Sequence, residues 1–159
     1  MWRWLAVVGL VLCGCARAPS MPDANACAKV ENSTALLTIF EQGTVQQRLL
    51  MRSEAGQVYV ALDTVGAPLF RAQPGEGQWQ LEVSKLYRGP DAESLLSAFS
   101  WWQRREHLTP QCVSAAGLTL NKADGEVRLL RGPRRWWQWR TRNPNQFFYG
   151  DYRVDVKPL

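Results

Sequence analysis

Few side chains in this sequence are capable of covalent or metal chemistry: four cysteines and a single histidine. Cys13 and Cys15 close an apolar run, Trp4 to Leu12, that follows Arg3, whereas Cys27 and Cys112 stand far apart. Zinc takes clustered thiolates and imidazoles, and a solitary His107 with dispersed cysteines does not supply them. No metal and no cofactor are expected, since a glycine-rich phosphate loop is also missing from the sequence. His107 has no nucleophile partner in a known motif, and no serine lies in a nucleophile-elbow sequence. Asp63, Glu82, Asp151 and Asp155 are scattered rather than paired. The chain reads as a protein that is not an enzyme.

The basic start, the apolar run and the small residue ahead of a cysteine are the marks of an export signal. The run is too short for a membrane-spanning helix, which needs roughly twenty apolar residues. Leu12-Cys13-Gly14-Cys15 resembles the lipobox of bacterial lipoproteins: an aliphatic residue, a variable one, a small one, then the cysteine that takes lipid. The resemblance implies that residues 1–14 are a signal peptide and that Cys15 becomes the acylated first residue. More than one acyl chain gives a firm anchor where a single chain does not. Ala16 follows the cysteine in place of the aspartate that implies inner-membrane retention, so the implied location is the outer membrane, facing the periplasm. The competing reading is an ordinary signal with Cys15 incidental. In an oxidising compartment Cys27 and Cys112 would pair. The alternative is a buried apolar Cys112 and a free Cys27 thiol. The net charge of +5 suits work beside anionic lipid. An exported monomer with no nucleic-acid partner is the expectation.

The elements that would position these residues begin after a tether, taken as residues 15–34, and form one domain over 35–159. Ala35 to Phe40 fits a first strand or a helical turn. From Thr44 the alternation of apolar and polar residues, broken by turns at Ser53–Gly56, Gly66–Pro68 and Pro74–Gly77, predicts an antiparallel meander. Val58, Val60 and Leu62 would face inward, as would Trp79, Leu81 and Val83. The period then changes. Leu95, Leu96, Phe99 and Trp102 share a helical stripe, with Asp91 placed to cap it. Thr109-Pro110 opens a second short helix and Gly117 ends it. Strands return from Leu118, with a hairpin at Ala123-Asp124-Gly125 and later strands carrying Trp137, Trp139, Tyr152, Val154 and Val156. Strands, then helices, then strands predict an α+β fold with helices packed on one face of an antiparallel sheet.

The chain is similar to the LolA/LolB group of lipoprotein-handling proteins, and more closely to a family of bacterial lipoproteins of LolB-like fold. The likeness lies in Gln46 to Leu50, Ala61 to Phe70, Leu95 to Gln103 and Tyr152 to Val156. The family's middle segment tends to read Gln-Leu, two residues, then Trp-Pro; Trp102 keeps the tryptophan, while Ala98, Phe99 and Gln103 depart from the rest. The resemblance implies a strongly curved, incomplete β-barrel with helices on its concave face and acyl chains held between them. The partners implied are membrane lipid or a lipidated protein, delivered by a LolA-like periplasmic carrier.

An acyl-chain site needs an apolar concavity with a few polar groups at its mouth. The pattern offers Val58, Val60, Leu62, Trp79, Leu81 and Val83 as one wall, Leu95, Phe99 and Trp102 as a lid, and Trp137 and Trp139 as the far side. Ordinary packing into a core is the competing reading for each. Arg131, Arg134 and Arg135 beside Trp136 form a basic turn suited to anionic headgroups. The function expected is binding of acyl chains or of a lipidated protein and help with its transfer at the outer membrane. The rival is a scaffolding lipoprotein without lipid cargo.

Overall fold

A computed structural model describes residues 20–159. Cys13, Cys15 and the signal segment lie outside the described residues. Five strands come first: β1 (Ser33–Glu41), β2 (Thr44–Glu54), β3 (Val58–Leu62), β4 (Pro68–Pro74) and β5 (Trp79–Val83). Two helices follow, α1 (Ala92–Gln103) and α2 (Pro110–Ala115). Five further strands complete the chain: β6 (Thr119–Ala123), β7 (Glu126–Arg131), β8 (Arg134–Arg140), β9 (Asn143–Tyr149) and β10 (Tyr152–Pro158).

Local chemistry explains the boundaries. The β6–β7 turn places Asp124 and Gly125 at φ 51° and 74°, the left-handed pair that a tight hairpin requires. Asp91 caps α1 by accepting the Ser94 amide at 3.0 Å. Thr109 caps α2 by accepting the Cys112 amide at 3.2 Å, and Pro110 occupies the first turn, where no amide donor is needed. Gly117, at φ 73°, ends that helix.

The strands join in one ten-stranded sheet of order β5-β4-β3-β2-β1-β10-β9-β8-β7-β6, antiparallel throughout. Each half is a meander, and the pairing of β1 with β10 joins the halves from Ala35↔Pro158 to Glu41↔Tyr152. The sheet is open, with β5 and β6 as its edges.

This overturns the α+β expectation. Strands make up 49% of the described structure and helices only 13%, so the fold is mostly antiparallel β and has no helical layer on a concave face. The physical reason lies in α1. Its residues from Leu95 to Trp102 are buried without a break, including Ser97, Ala98, Ser100 and Trp101. A helix covered on every side belongs inside a core, not on one face of a layer. The stripe of Leu95, Leu96, Phe99 and Trp102 is real but marks only part of the buried surface.

The segment 20–32, taken from sequence as the end of a tether, lies against the domain. Trp101 Nε1 donates to the Ser20 carbonyl at 3.1 Å, Arg131 Nη2 to Ser20 Oγ at 2.8 Å, and Arg104 Nε to the Ala28 carbonyl at 3.1 Å. Cys27 and Cys112 form a disulfide across a sequence separation of 85 residues, fixing this strap to α2. Closing so long a loop restricts the unfolded chain by about 4 kcal/mol. Replacing both cysteines by serine should lower the unfolding free energy by roughly 3–5 kcal/mol in urea titrations. An unchanged midpoint would mean that the strap is held by its hydrogen bonds alone.

Candidate functional site

The residues proposed for an acyl-chain cleft divide into three groups. Trp79, Leu95, Phe99, Trp102, Trp137 and Trp139 are buried and belong to a single core. Their rings pack on each other and on neighbouring rings. Phe99 and Trp102 stack with centroids 5.6 Å apart, Tyr59 meets Trp79 edge-on at 5.3 Å, and Trp137 stacks on Phe147 at 6.4 Å. Leu81 is half-buried against this core, while Val83, on edge strand β5, is 51% exposed. Val58, Val60 and Leu62 take the opposite phase to the one expected: Tyr59 and Ala61 of β3 point inward instead. The segment Val58 to Leu62 is apolar throughout, so alternation alone fits either face. Register decides, because Ala61 lies between Met51 and Phe70 and its small side chain accommodates both. Leu95, Phe99 and Trp102 therefore form the middle of the molecule and not a lid.

The polar groups that organise this interior were not evident as a site in the sequence. Trp79 Nε1 donates to Ser97 Oγ at 2.9 Å, and Trp137 Nε1 donates to the Ala98 carbonyl at 3.1 Å. Ser100 Oγ donates to Tyr59 Oη at 3.1 Å, Tyr59 Oη to Gln103 Oε1 at 2.9 Å, and Gln103 Nε2 to Ser33 Oγ at 3.1 Å. Trp102 Nε1 and Trp139 Nε1 converge on the Pro144 carbonyl at 3.0 and 3.1 Å. Serines inside a helical run are the available signal, since a buried hydroxyl demands a partner. Tyr149 breaks this pattern. Its hydroxyl is buried with no partner among the described residues, and burial first, then the neighbouring Tyr87, Tyr152 and Asp91, raise its pKa.

The basic turn is present between β7 and β8, at Gly132-Pro133. Arg131 is held by Ser20 and lies 5.7 Å from the ring of half-buried Trp136. Arg135 Nη1 donates to Gln138 Oε1 at 2.6 Å, and both Arg134 and Arg135 are exposed. His107 is exposed after α1, and no cluster of three or more potential metal ligands occurs among the described residues.

Empty space is found elsewhere. A cleft of about 490 Å³ lies where the strap, the Pro74–Gly77 turn, the end of α1 and the end of α2 meet. Ser20, Met21, Pro22, Tyr59, Trp79 and Arg104 are among its walls. Of the residues proposed for the acyl-chain cleft, only Trp79 borders it.

No family model matches this chain, and no curated protein matches it at significance.

Two substitutions separate core from surface. Trp137→Ala should cost about 3–5 kcal/mol in denaturant unfolding, whereas Val83→Ala should stay within about 0.5 kcal/mol. Tyr149→Phe removes a hydroxyl that has no partner, so stability at neutral pH should hold or rise by about 1 kcal/mol. The raised pKa of Tyr149 means that the unfolded chain ionises first. Titration of Tyr149 therefore leaves stability untouched below the unfolded value near 10 and lowers it progressively as pH climbs from there toward the folded value. Alkaline unfolding monitored by far-UV dichroism should therefore begin at higher pH in Tyr149→Phe than in the parent.

Proposed function

We propose that the chain is a lipid-anchored protein of the cell envelope that holds a solid β-rich domain close against the outer membrane and serves as a docking scaffold. The lipobox pattern at Leu12 to Cys15 supports the anchor. The observation that carries the rest is the fixing of Ser20 beside the basic turn, through Arg131 and Trp101. Four residues, and so five chain steps, separate Cys15 from Ser20. A chain of that length reaches at most about 18 Å. An acyl group on Cys15 would therefore bring Arg131, Arg134, Arg135 and Trp136 near the headgroups, within about two Debye lengths of an anionic surface. Each arginine close to such a surface contributes about 1 kcal/mol, and tryptophan suits the interface.

Filling of the interior by the rings of Trp79, Phe99, Trp102 and Trp137 favours the scaffold over a carrier that encloses acyl chains within its sheet. Carriage of lipid or of a lipidated protein is the second reading. The cleft beside the strap favours it, since its volume of about 490 Å³ falls in the range of small-molecule sites, roughly 300–1,000 Å³.

Metabolic labelling with an alkyne fatty acid should mark the full chain, and Cys15→Ala should abolish the label and release the protein from membranes. Retention of the label in that variant would defeat the anchor. The domain beginning at Ala16 should sediment with vesicles containing anionic lipid, and Arg134→Gln with Arg135→Gln should weaken this about ten- to thirtyfold. Equal sedimentation would remove the basic turn from the membrane contact. Photo-crosslinking in cells distinguishes the two functions: a stable protein neighbour supports the scaffold, and acyl cargo alone supports the carrier.

A further inference from the structure

We propose that the cleft beside the strap is a binding site for a small monocarboxylate, held by Arg104. Arg104 caps the C-terminal end of α1 and is only 7% exposed. A buried guanidinium calls for an anion, because neutral acceptors replace its hydration only in part. None of the ion pairs among the described residues includes Arg104. Its Nε donates to the Ala28 carbonyl at 3.1 Å and its Nη1 to the Ser100 carbonyl at 3.0 Å. Both acceptors are neutral, and the negative end of the α1 dipole adds only fractional charge. Nη2 has no acceptor among the described residues, and Arg104 borders the cleft.

A glycine stands beside Nη2. A Cβ on Gly56 would lie 3.4 Å from Nη2 and 3.6 Å from Tyr59 Oη. Gly56 also has φ +70°, a conformation that disfavours any larger residue. Two carboxylates border the cleft, and neither serves Arg104. Asp23 Oδ1 accepts the amides of Asn25 and Ala26 at 2.7 and 3.3 Å, and Glu76 is exposed on the β4–β5 turn. The remaining walls include Met21, Pro22, Trp79 and Ala116, which suit a compact apolar body. A ligand carboxylate would meet Nη2 in a charge-assisted hydrogen bond, about twice as strong as a neutral one. The assignment goes beyond the docking role and does not depend on acylation of Cys15.

Hexanoate and its neutral isostere hexanamide are suitable probes for calorimetric titration of the folded protein. Hexanoate should bind saturably at one site, with hexanamide at least tenfold weaker. Arg104→Gln should abolish this preference. Because that variant also loses the contact to Ala28, Ala115→Trp provides an independent test: Ala115 is exposed at the rim, and a large ring there should block binding without lowering the melting temperature. Equal affinity for the two probes, no saturable binding of hexanoate at millimolar concentration, or full binding by Ala115→Trp would each overturn the assignment. None of these outcomes would affect the docking role.

Discussion

Burial of α1 on every side from Leu95 to Trp102 is the constraint on which the rest depends. A helix has its backbone bonds satisfied within itself, so it is one of few elements that a core can enclose on every side. Serines and indole nitrogens so enclosed must find partners inside. They do so on both halves of the sheet. Ser97 and Ser100 bond to Trp79 and Tyr59 of the first meander, and the Ala98 carbonyl accepts from Trp137 of the second. Trp102 reaches the Pro144 carbonyl in β9. Each bond fixes the helix against a different strand, so its rotation and height are both specified. A single apolar stripe would leave those degrees of freedom loose.

The strap is the second level of the same design. Trp101, fully buried on α1, donates its indole N–H to the Ser20 carbonyl of the strap. Arg104 ties the helix end to Ala28, and the disulfide holds the strap to α2. The cleft exists because these segments meet over the β4–β5 turn without filling the corner between them. Among the described residues that line it, the one buried charged group is the guanidinium that also holds the strap.

Much of this order was legible in the sequence. Alternation and turn residues located nine of the ten strands, with β1 left open between strand and helical turn, and cap residues placed both helices at Asp91 and Thr109. The Asp124-Gly125 turn declared itself by composition. The class differs because element order says nothing of how much of α1 would be covered, and Ala98 and Ser100 can stand on an exposed helix face as readily as in a core. The phase of β3 was illegible for a related reason: no residue from Val58 to Leu62 is charged, so alternation fits either face, and the pairing of Ala61 with Met51 and Phe70 decides which one turns inward. Six of the residues proposed for the cleft are buried, yet pattern cannot tell a wall from a filling. Arg104 gave no signal at all, since a lone arginine after a helix resembles any solvated cation.

The union of β1 with β10 has a bearing on how the molecule is made. Strands at opposite ends of the sequence sit side by side in the middle of the sheet. A chain emerging in order from ribosome or export channel can zip each meander from local hairpins within microseconds. The seam between them must wait for β10, and contacts of such high order are slow to form. Until then β1 offers an unpaired edge, open to another molecule's strand. A protein built this way is most vulnerable to misassembly before β10 has docked, and a chaperone that shields Ser33 to Glu41 would guard it best.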